Sequence, residues 1–145
     1  MTPSKTIESF IKTFEQCRLR AFMPTPDDVP TIGWGRTKGV KLGMTQTQAE
    51  ADADFAADIT ERAAKLTTYL GTAKTTQSQF DAMLSLAYNI GLTAIASSTL
   101  LKLHKAGDYA AARAQFLRWN KQKGKALAGL TRRRAAEAEI YGRAS

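Results

Sequence analysis

Apolar residues recur with a helical period along most of the 145-residue chain, and this period is lost once, between residues 16 and 36. Three prolines in that stretch exclude a continuous helix, and residues 31–35, TIGWG, have the composition of a strand. We therefore predict a β-hairpin region at about residues 16–43. The chain as a whole is predicted to be α+β and mostly helical, with a small N-terminal helix-plus-β-hairpin lobe packed on a helical lobe.

Side chains that cap helices indicate where the predicted helices begin. Thr47 with Glu50, and Thr76 with Gln79, have the spacing of a capping box. A final helix is predicted from about residue 131 to residue 141. The other predicted caps are Ser4, Ser98 and Asp108. Neither an internal repeat nor a long linker interrupts the sequence, so we expect one domain over residues 1–145.

The net charge of +8 lies entirely in the second half of the chain. Residues 1–72 hold nine basic and nine acidic side chains, whereas residues 73–145 hold twelve basic and four acidic ones. Such a surface favours polyanionic partners, including nucleic acid, acidic lipids and anionic cell-wall polymers.

No apolar run is long enough for a membrane span, so we expect no stable membrane insertion. Because the sequence has one cysteine, Cys17, and one histidine, His104, we expect no internal disulfide, no metal and no cofactor.

Glu15 directly follows the apolar stripe of the first predicted helix. A carboxylate at a helix C terminus faces the negative end of the helix dipole, which favours the protonated form that a general acid needs. Asp27, Asp28 and Thr31 follow in the hairpin region, and glycoside hydrolysis needs a second polar group on the far side of the sugar. From the residues alone this geometry is allowed, and an ordinary solvated glutamate is the alternative.

More specific evidence lies in six segments, which follow one another along nearly the whole chain: IKTFEQCRLRAF, TIGWGRTKGVKLGMTQTQAEAD, QFDAMLSLAYNIG, SSTLLKLHKAGDY, FLRWNKQKGKALAGL and TRRRAAEAEIYG. Together they resemble the phage-type lysozymes, the endolysin muramidases of glycoside hydrolase family 24. The resemblance implies a lysozyme-like fold with a cleft between the two lobes. It also implies an enzyme that hydrolyses, with inversion, the β-1,4 bond between N-acetylmuramic acid and N-acetylglucosamine. Its partner would be bacterial peptidoglycan, its role host cell lysis and its usual state a monomer.

By this resemblance Glu15 matches the catalytic acid, and Thr31 matches the threonine that helps hold the attacking water. Members of the family place an aspartate between the two, but the loop here is one residue longer and the family spacing does not fall on a carboxylate. Two hypotheses therefore remain. In the first, which we favour, Asp28 ahead of Asp27 supplies the base that an inverting mechanism needs. In the second, Thr25 takes the aligned position, and the site works with Glu15 and a water held by Thr31.

The resemblance also indicates substrate contacts at Trp34, Asn89 and Gly91. A half-buried hairpin tryptophan and a plain helix C-cap are the structural alternatives for Trp34 and Gly91. One of the three arginines at residues 132–134 is expected either to pair with Glu15 across the cleft or to belong to a solvated face.

Two other positions carry expectations. Arg36 stands where the family has a histidine, so a histidine–carboxylate pair between the lobes is expected to be missing or replaced. His104 is expected on a helix surface.

Two other function classes are weighed against the muramidase. A non-catalytic cell-wall-binding module would follow if the altered loop lacks the middle carboxylate, and a basic nucleic-acid-binding helical protein would use the charged second half. The nucleic-acid-binding class is disfavoured, because the charges are not interleaved with aromatic residues in any binding motif. We expect the protein in the host cytoplasm, from which it reaches the cell wall after holin-type opening of the membrane.

Overall fold

The computed structural model describes residues 1–122 and 124–143. Its elements, in chain order, are α1 (Lys5–Glu15), β1 (Arg18–Phe22), β2 (Thr31–Gly33), α2 (Gln48–Leu70), α3 (Gln77–Ile90), α4 (Leu92–Ala96), α5 (Thr99–Lys105), α6 (Tyr109–Gln115), a 3-10 turn (Phe116–Arg118), β3 (Lys121–Gln122), β4 (Lys125–Ala126) and α7 (Ala128–Tyr141). The predicted α+β, mostly helical fold class is confirmed.

The hairpin lobe is built from β1 and β2, which pair antiparallel with an irregular register. An isolated bridge joins Arg20 to Thr45, so the paired region extends slightly beyond the predicted end at residue 43. The lobe has a small apolar cluster of its own, made by Ala21, Ile32 and Val40. The burial of Ile32 in this cluster fixes the face of β2 on which it lies. Because successive side chains of a strand point to opposite faces, the side chains next to Ile32 point the other way.

The predicted helix caps are present. At Ser4, Thr47, Thr76, Ser98 and Asp108 the side-chain oxygen accepts a hydrogen bond from the backbone N–H three residues later. The capping boxes that begin α2 and α3 are complete in both directions. The last helix begins at residue 128, three residues before the predicted start, and the short elements α4, β3 and β4 were not predicted.

The main apolar cluster is organised around α3, which packs against α1, α2, α4 and α7. Phe80, Met83 and Leu84 of α3 are completely buried, and Ile7 and Ile11 of α1 are at most 2% exposed. Burial of such side chains stabilises the fold by roughly 1.5–3 kcal/mol each. Because α1 and α7 both pack on α3, the end of the first helix is brought next to the last helix.

The prediction of a surface position for His104 is wrong, since its side chain is 1% exposed. The imidazole lies between two hydroxyl groups, with Nδ1 2.6 Å from the Tyr141 hydroxyl and Nε2 2.9 Å from Oγ1 of Thr75. Thr75 donates its own hydroxyl proton to the Ala73 carbonyl, so it accepts from Nε2–H, and Nδ1 accepts from Tyr141. Burial lowers the pKa of His104 below its ordinary value of 6.5.

Among the described residues, no helix combines the length and the apolar character that crossing a bilayer requires.

Candidate active site

Glu15 is the last residue of α1, and its position follows from how that helix is held. Ser4 caps the N terminus, and Ile7 and Ile11 attach one face to the core. The helix ends because Gln16 adopts a positive φ of 44°, which a helix cannot continue. The Glu15 side chain is 18% exposed, so its carboxyl lies at the edge of the protein interior and is still reachable from solvent.

Arg133 of α7 holds this carboxyl. Its Nη1 donates a hydrogen bond to Oε1 of Glu15 at 2.8 Å, and the arginine side chain is only 4% exposed. The guanidinium is fixed on its other sides, because Nη2 donates to the Ser85 carbonyl at 3.1 Å and Nε donates to Oε2 of Glu137 at 3.3 Å. The arginine that pairs with Glu15 is therefore Arg133.

Glu137 was not identified from the sequence, and it is completely buried. Besides Arg133, it accepts a short hydrogen bond from the Ser85 hydroxyl, and Nε of Arg134 lies 2.6 Å from its Oε1. The expectation of a solvated arginine face is wrong for Arg133 and Arg134, which are 3% and 0% exposed. A signal was available in the sequence, because an acidic residue four positions after Arg133 on one helix has ion-pair spacing.

The hairpin lobe approaches the same carboxyl from the opposite side. A Cβ added to Gly35, whose φ is +110°, would lie 3.0 Å from Oε2 of Glu15, so a side chain there would press on the carboxylate. The Tyr88 hydroxyl of α3 donates a hydrogen bond of 2.7 Å to the Trp34 carbonyl and ties this turn to the helical lobe. Glu15 thus lies where the two lobes meet.

The loop before β2 carries the candidates for the middle position. Asp27 and Asp28 are both exposed, and the Asp28 N–H donates to the Thr25 carbonyl at 3.1 Å. Oδ1 of Asp28 accepts the Val29 N–H at 2.9 Å, which fixes the orientation of its carboxylate. Thr31 is 8% exposed, and its hydroxyl donates to the Val29 carbonyl at 3.0 Å, so the hydroxyl oxygen keeps lone pairs for a further donor.

Asp28 faces the helical lobe across a depression of about 460 Å³. Its lining also includes Asn89, Ile90, Trp119, Lys121, Gln122 and Leu130. The structure thus brings together two predicted site residues, Asp28 and Asn89. Among the described residues that line this depression, Glu15, Thr31 and Trp34 are not found.

The Trp34 side chain packs against α2. Its Nε1 donates to Asp52 of α2 at 2.8 Å, a contact that lowers the pKa of that carboxyl, and its ring meets Phe55 edge-on. Beside it, Arg36 pairs with Asp54 of α2 at 3.1 Å. Both residues line a second depression of about 260 Å³ between the hairpin and α2. Arg36 therefore pairs with a carboxylate of α2.

Gly91 is the C-cap of α3, with φ +94° and its N–H donating to the Ala87 carbonyl. An L-residue rarely adopts this conformation, and glycine adopts it without strain.

The sequence matches the family model described as Phage lysozyme over residues 12–137. An endolysin of Acyrthosiphon pisum secondary endosymbiont phage 1 is 41% identical over 135 residues, which cover 90% of this chain and 91% of that protein. Several further endolysins that match are longer, and the chain spans 51–57% of their length.

Solved structures agree with this match. The endolysin from Escherichia coli O157:H7 phage FAHEc1 superposes with a TM-score of 0.84 and 37% identity, covering 98% of this chain and 94% of that one. The muramidase domain of SpmX from Asticaccaulis excentricus superposes with a TM-score of 0.85 and 31% identity, covering 97% of both chains.

Proposed function

The chain belongs to the phage lysozyme family, and from that premise we propose that it is a peptidoglycan-degrading endolysin that cuts the glycan between N-acetylmuramic acid and N-acetylglucosamine. One observation carries the proposal. The carboxyl of Glu15 lies at the junction of the lobes, 2.8 Å from Arg133 and facing the Gly35 backbone, with 18% of the side chain open to solvent. A carboxyl that is fixed in position and still accessible suits proton donation to a glycosidic oxygen.

The proposed mechanism is a single displacement with inversion. Glu15 donates its proton to the leaving oxygen, while a carboxylate on the other side of the sugar takes a proton from the attacking water. We assign that second role to Asp28 ahead of Asp27, because the oriented carboxylate of Asp28 faces the helical lobe across the larger of the two depressions. Thr31 is proposed to help hold the water through the free lone pairs of its hydroxyl.

The proposed substrate contacts are Asn89, Gly91 and Trp34. Asn89 shares a depression with Asp28, and its amide can both donate to and accept from sugar hydroxyl and acetamido groups. The backbone at Gly91 is open, since an added Cβ would meet nothing within 4 Å. Trp34 lines the second depression and would contact sugar there through its ring, since its indole N–H already donates to Asp52.

We propose that the protein acts as a monomer of one domain whose partner is peptidoglycan and not nucleic acid. The main cluster joins side chains from α1 through α7, which supports one folding unit. We further propose that the protein accumulates in the host cytoplasm and meets the wall after holin-type membrane opening.

A peptidoglycan zymogram combined with product analysis tests the proposal. We expect clearing, release of new reducing ends from purified peptidoglycan, and an initial product of inverted anomeric configuration. Retention on the wall without new reducing ends would instead identify a wall-binding module. Binding to nucleic acid, without retention on the wall and without clearing, would favour a basic nucleic-acid-binding protein.

A further inference from the structure

The candidate acid is connected to a buried cluster of three charged side chains on α7. Arg133, Arg134 and Glu137 are 3%, 0% and 0% exposed, and Glu137 is the one acidic member. Its carboxylate contacts both guanidiniums, at 3.3 Å from Nε of Arg133 and 2.6 Å from Nε of Arg134. Only Arg133 reaches on to Glu15.

We propose that Glu137 is a positioning residue for the reaction assigned to Glu15: it neutralises one of the two buried guanidiniums, so that Glu15 faces one net positive charge instead of two. This inference rests on the proposed function of Glu15 as the general acid. It concerns a residue that never touches substrate, because Glu137 is closed off from solvent.

The charge balance follows from the chemistry of the groups. A guanidinium does not lose its proton in proteins, so both arginines stay positive wherever they are buried. Arg134 also acts electrostatically on Glu15, although it does not contact it. Without the negative charge of Glu137, two buried positive charges would hold Glu15 in its ionised form, and an ionised carboxylate cannot donate a proton.

Burial raises the pKa of Glu137, and the attraction of Arg134 and Arg133 opposes that effect. The ionised form is the one that this environment requires, because a neutral carboxyl would leave the buried charge of Arg134 unbalanced, and Arg134 does not contact Glu15. Tyr88 of α3 also interacts electrostatically with Glu15, but burial raises the pKa of Tyr88, so it remains neutral and adds no charge.

Three variants on α7 separate charge from structure. Glu137→Gln keeps an oxygen that can accept from Arg133 and removes the charge, so the alkaline limb of the pH–activity profile should move to lower pH by about one unit. Arg134→Met removes a positive charge and should move the same limb to higher pH. The double variant restores one net positive charge, and its limb should return close to that of the wild type.

The matched control is Asp81→Asn on α3. Asp81 is also a buried carboxylate, 6% exposed, but it accepts hydrogen bonds from Ser4 and Gln77, away from the candidate site. We expect this variant to lower the melting temperature and to leave the limb in place, because a loss of stability alone does not change which groups titrate during turnover.

The readout is the initial rate of clearing of purified peptidoglycan against pH, with circular dichroism at each pH to confirm folding. Opposite shifts in the two single variants, cancelling in the double variant, support the inference. If Glu137→Gln does not fold, the inference is still tested by the upward shift of the alkaline limb in Arg134→Met and by the reversal of that shift in the double variant. Limbs that coincide with the wild type in all folded variants would overturn this inference alone, provided that Glu15→Gln is inactive. A Glu15→Gln protein that clears peptidoglycan would overturn both the inference and the proposed function.

Discussion

Nη1 of Arg133 lies 2.8 Å from Oε1 of Glu15, and this ion pair joins the end of the first helix to the last helix across 118 residues of sequence. Both helices pack on α3, whose Ser85 carbonyl accepts a further hydrogen bond from the same guanidinium. The geometry of the candidate acid therefore depends on the packing of three helices. A site made this way forms only when the two ends of the chain have folded together.

Asp28→Asn and Asp27→Asn test the assignment of the second carboxylate. We expect Asp28→Asn to lower the rate of peptidoglycan clearing about a hundredfold, because an amide cannot take the proton from water. Asp27→Asn should stay near the wild-type rate. Thr25→Ala serves as the third variant, and full activity in both aspartate variants with loss in Thr25→Ala would replace our assignment by the Thr25 hypothesis.

The buried imidazole of His104 predicts a loss of stability at acidic pH. Because its pKa in the folded protein is lowered below 6.5, the unfolded chain binds a proton first as the pH falls. The free energy of unfolding should be highest above about pH 6.5 and should decrease below it, until the pH reaches the folded-state pKa, by at most about 1.4 kcal/mol per pH unit. Urea denaturation at a series of pH values measures this slope.

Two variants show whether this slope belongs to His104. His104→Gln should remove the contribution, while Tyr141→Phe, which deletes the hydroxyl at Nδ1 and keeps the imidazole, should retain it. An unchanged slope in His104→Gln would assign the acid sensitivity to other groups.

The pair of Arg36 with Asp54 is predicted to add little stability. Both side chains are well exposed, at 40% and 37%, and solvent screens such pairs. Arg36→Gln should therefore lower the free energy of unfolding by less than about 1 kcal/mol. A double-mutant cycle with Asp54→Asn measures the coupling, and a coupling well above that value would show that the pair fastens the hairpin lobe to α2.

The basic second half is predicted to make wall lysis sensitive to salt. Screening lengths fall from about 30 Å at 0.01 M to about 8 Å at 0.15 M, so attraction to an anionic wall should weaken over that range. Reversing the charges of Lys121, Lys123 and Lys125 together should flatten the dependence. The first and last of these are exposed, and Lys123 lies outside the described residues. An unaltered salt profile would show that these lysines only keep the protein soluble. The matched control reverses three exposed lysines of the neutral half: Lys5, Lys41 and Lys65.

Helix positions could be predicted well where local chemistry decides them. The side chains of Thr47 and Thr76 satisfy backbone N–H groups within three residues, so their role can be seen in the sequence. The early start of α7 was missed, because Leu127 at its N-cap makes no side-chain cap. The two-residue strands β3 and β4 are too short to show a periodic pattern.

The candidate site could be predicted only in part. The carboxyl of Glu15 was identified by its place after an apolar stripe and by family resemblance, whereas the contacts that Arg133 and Glu137 make with Ser85 depend on how α7 packs against α3. Sequence spacing alone does not reveal a packing of this kind. The burial of His104 was missed for the same reason, since its partners Thr75 and Tyr141 lie 29 and 37 residues away in the sequence.

The most direct test of the central claim is the activity of Glu15→Gln, measured on purified peptidoglycan together with thermal melting. The substitution keeps an oxygen that can accept from Arg133 and removes the proton that a general acid must donate. Glu8→Gln, in the first turn of the same helix, is the matched control. We predict that Glu15→Gln folds and melts close to the wild type but releases no new reducing ends, while Glu8→Gln stays active. Wild-type clearing by a folded Glu15→Gln protein would contradict the account.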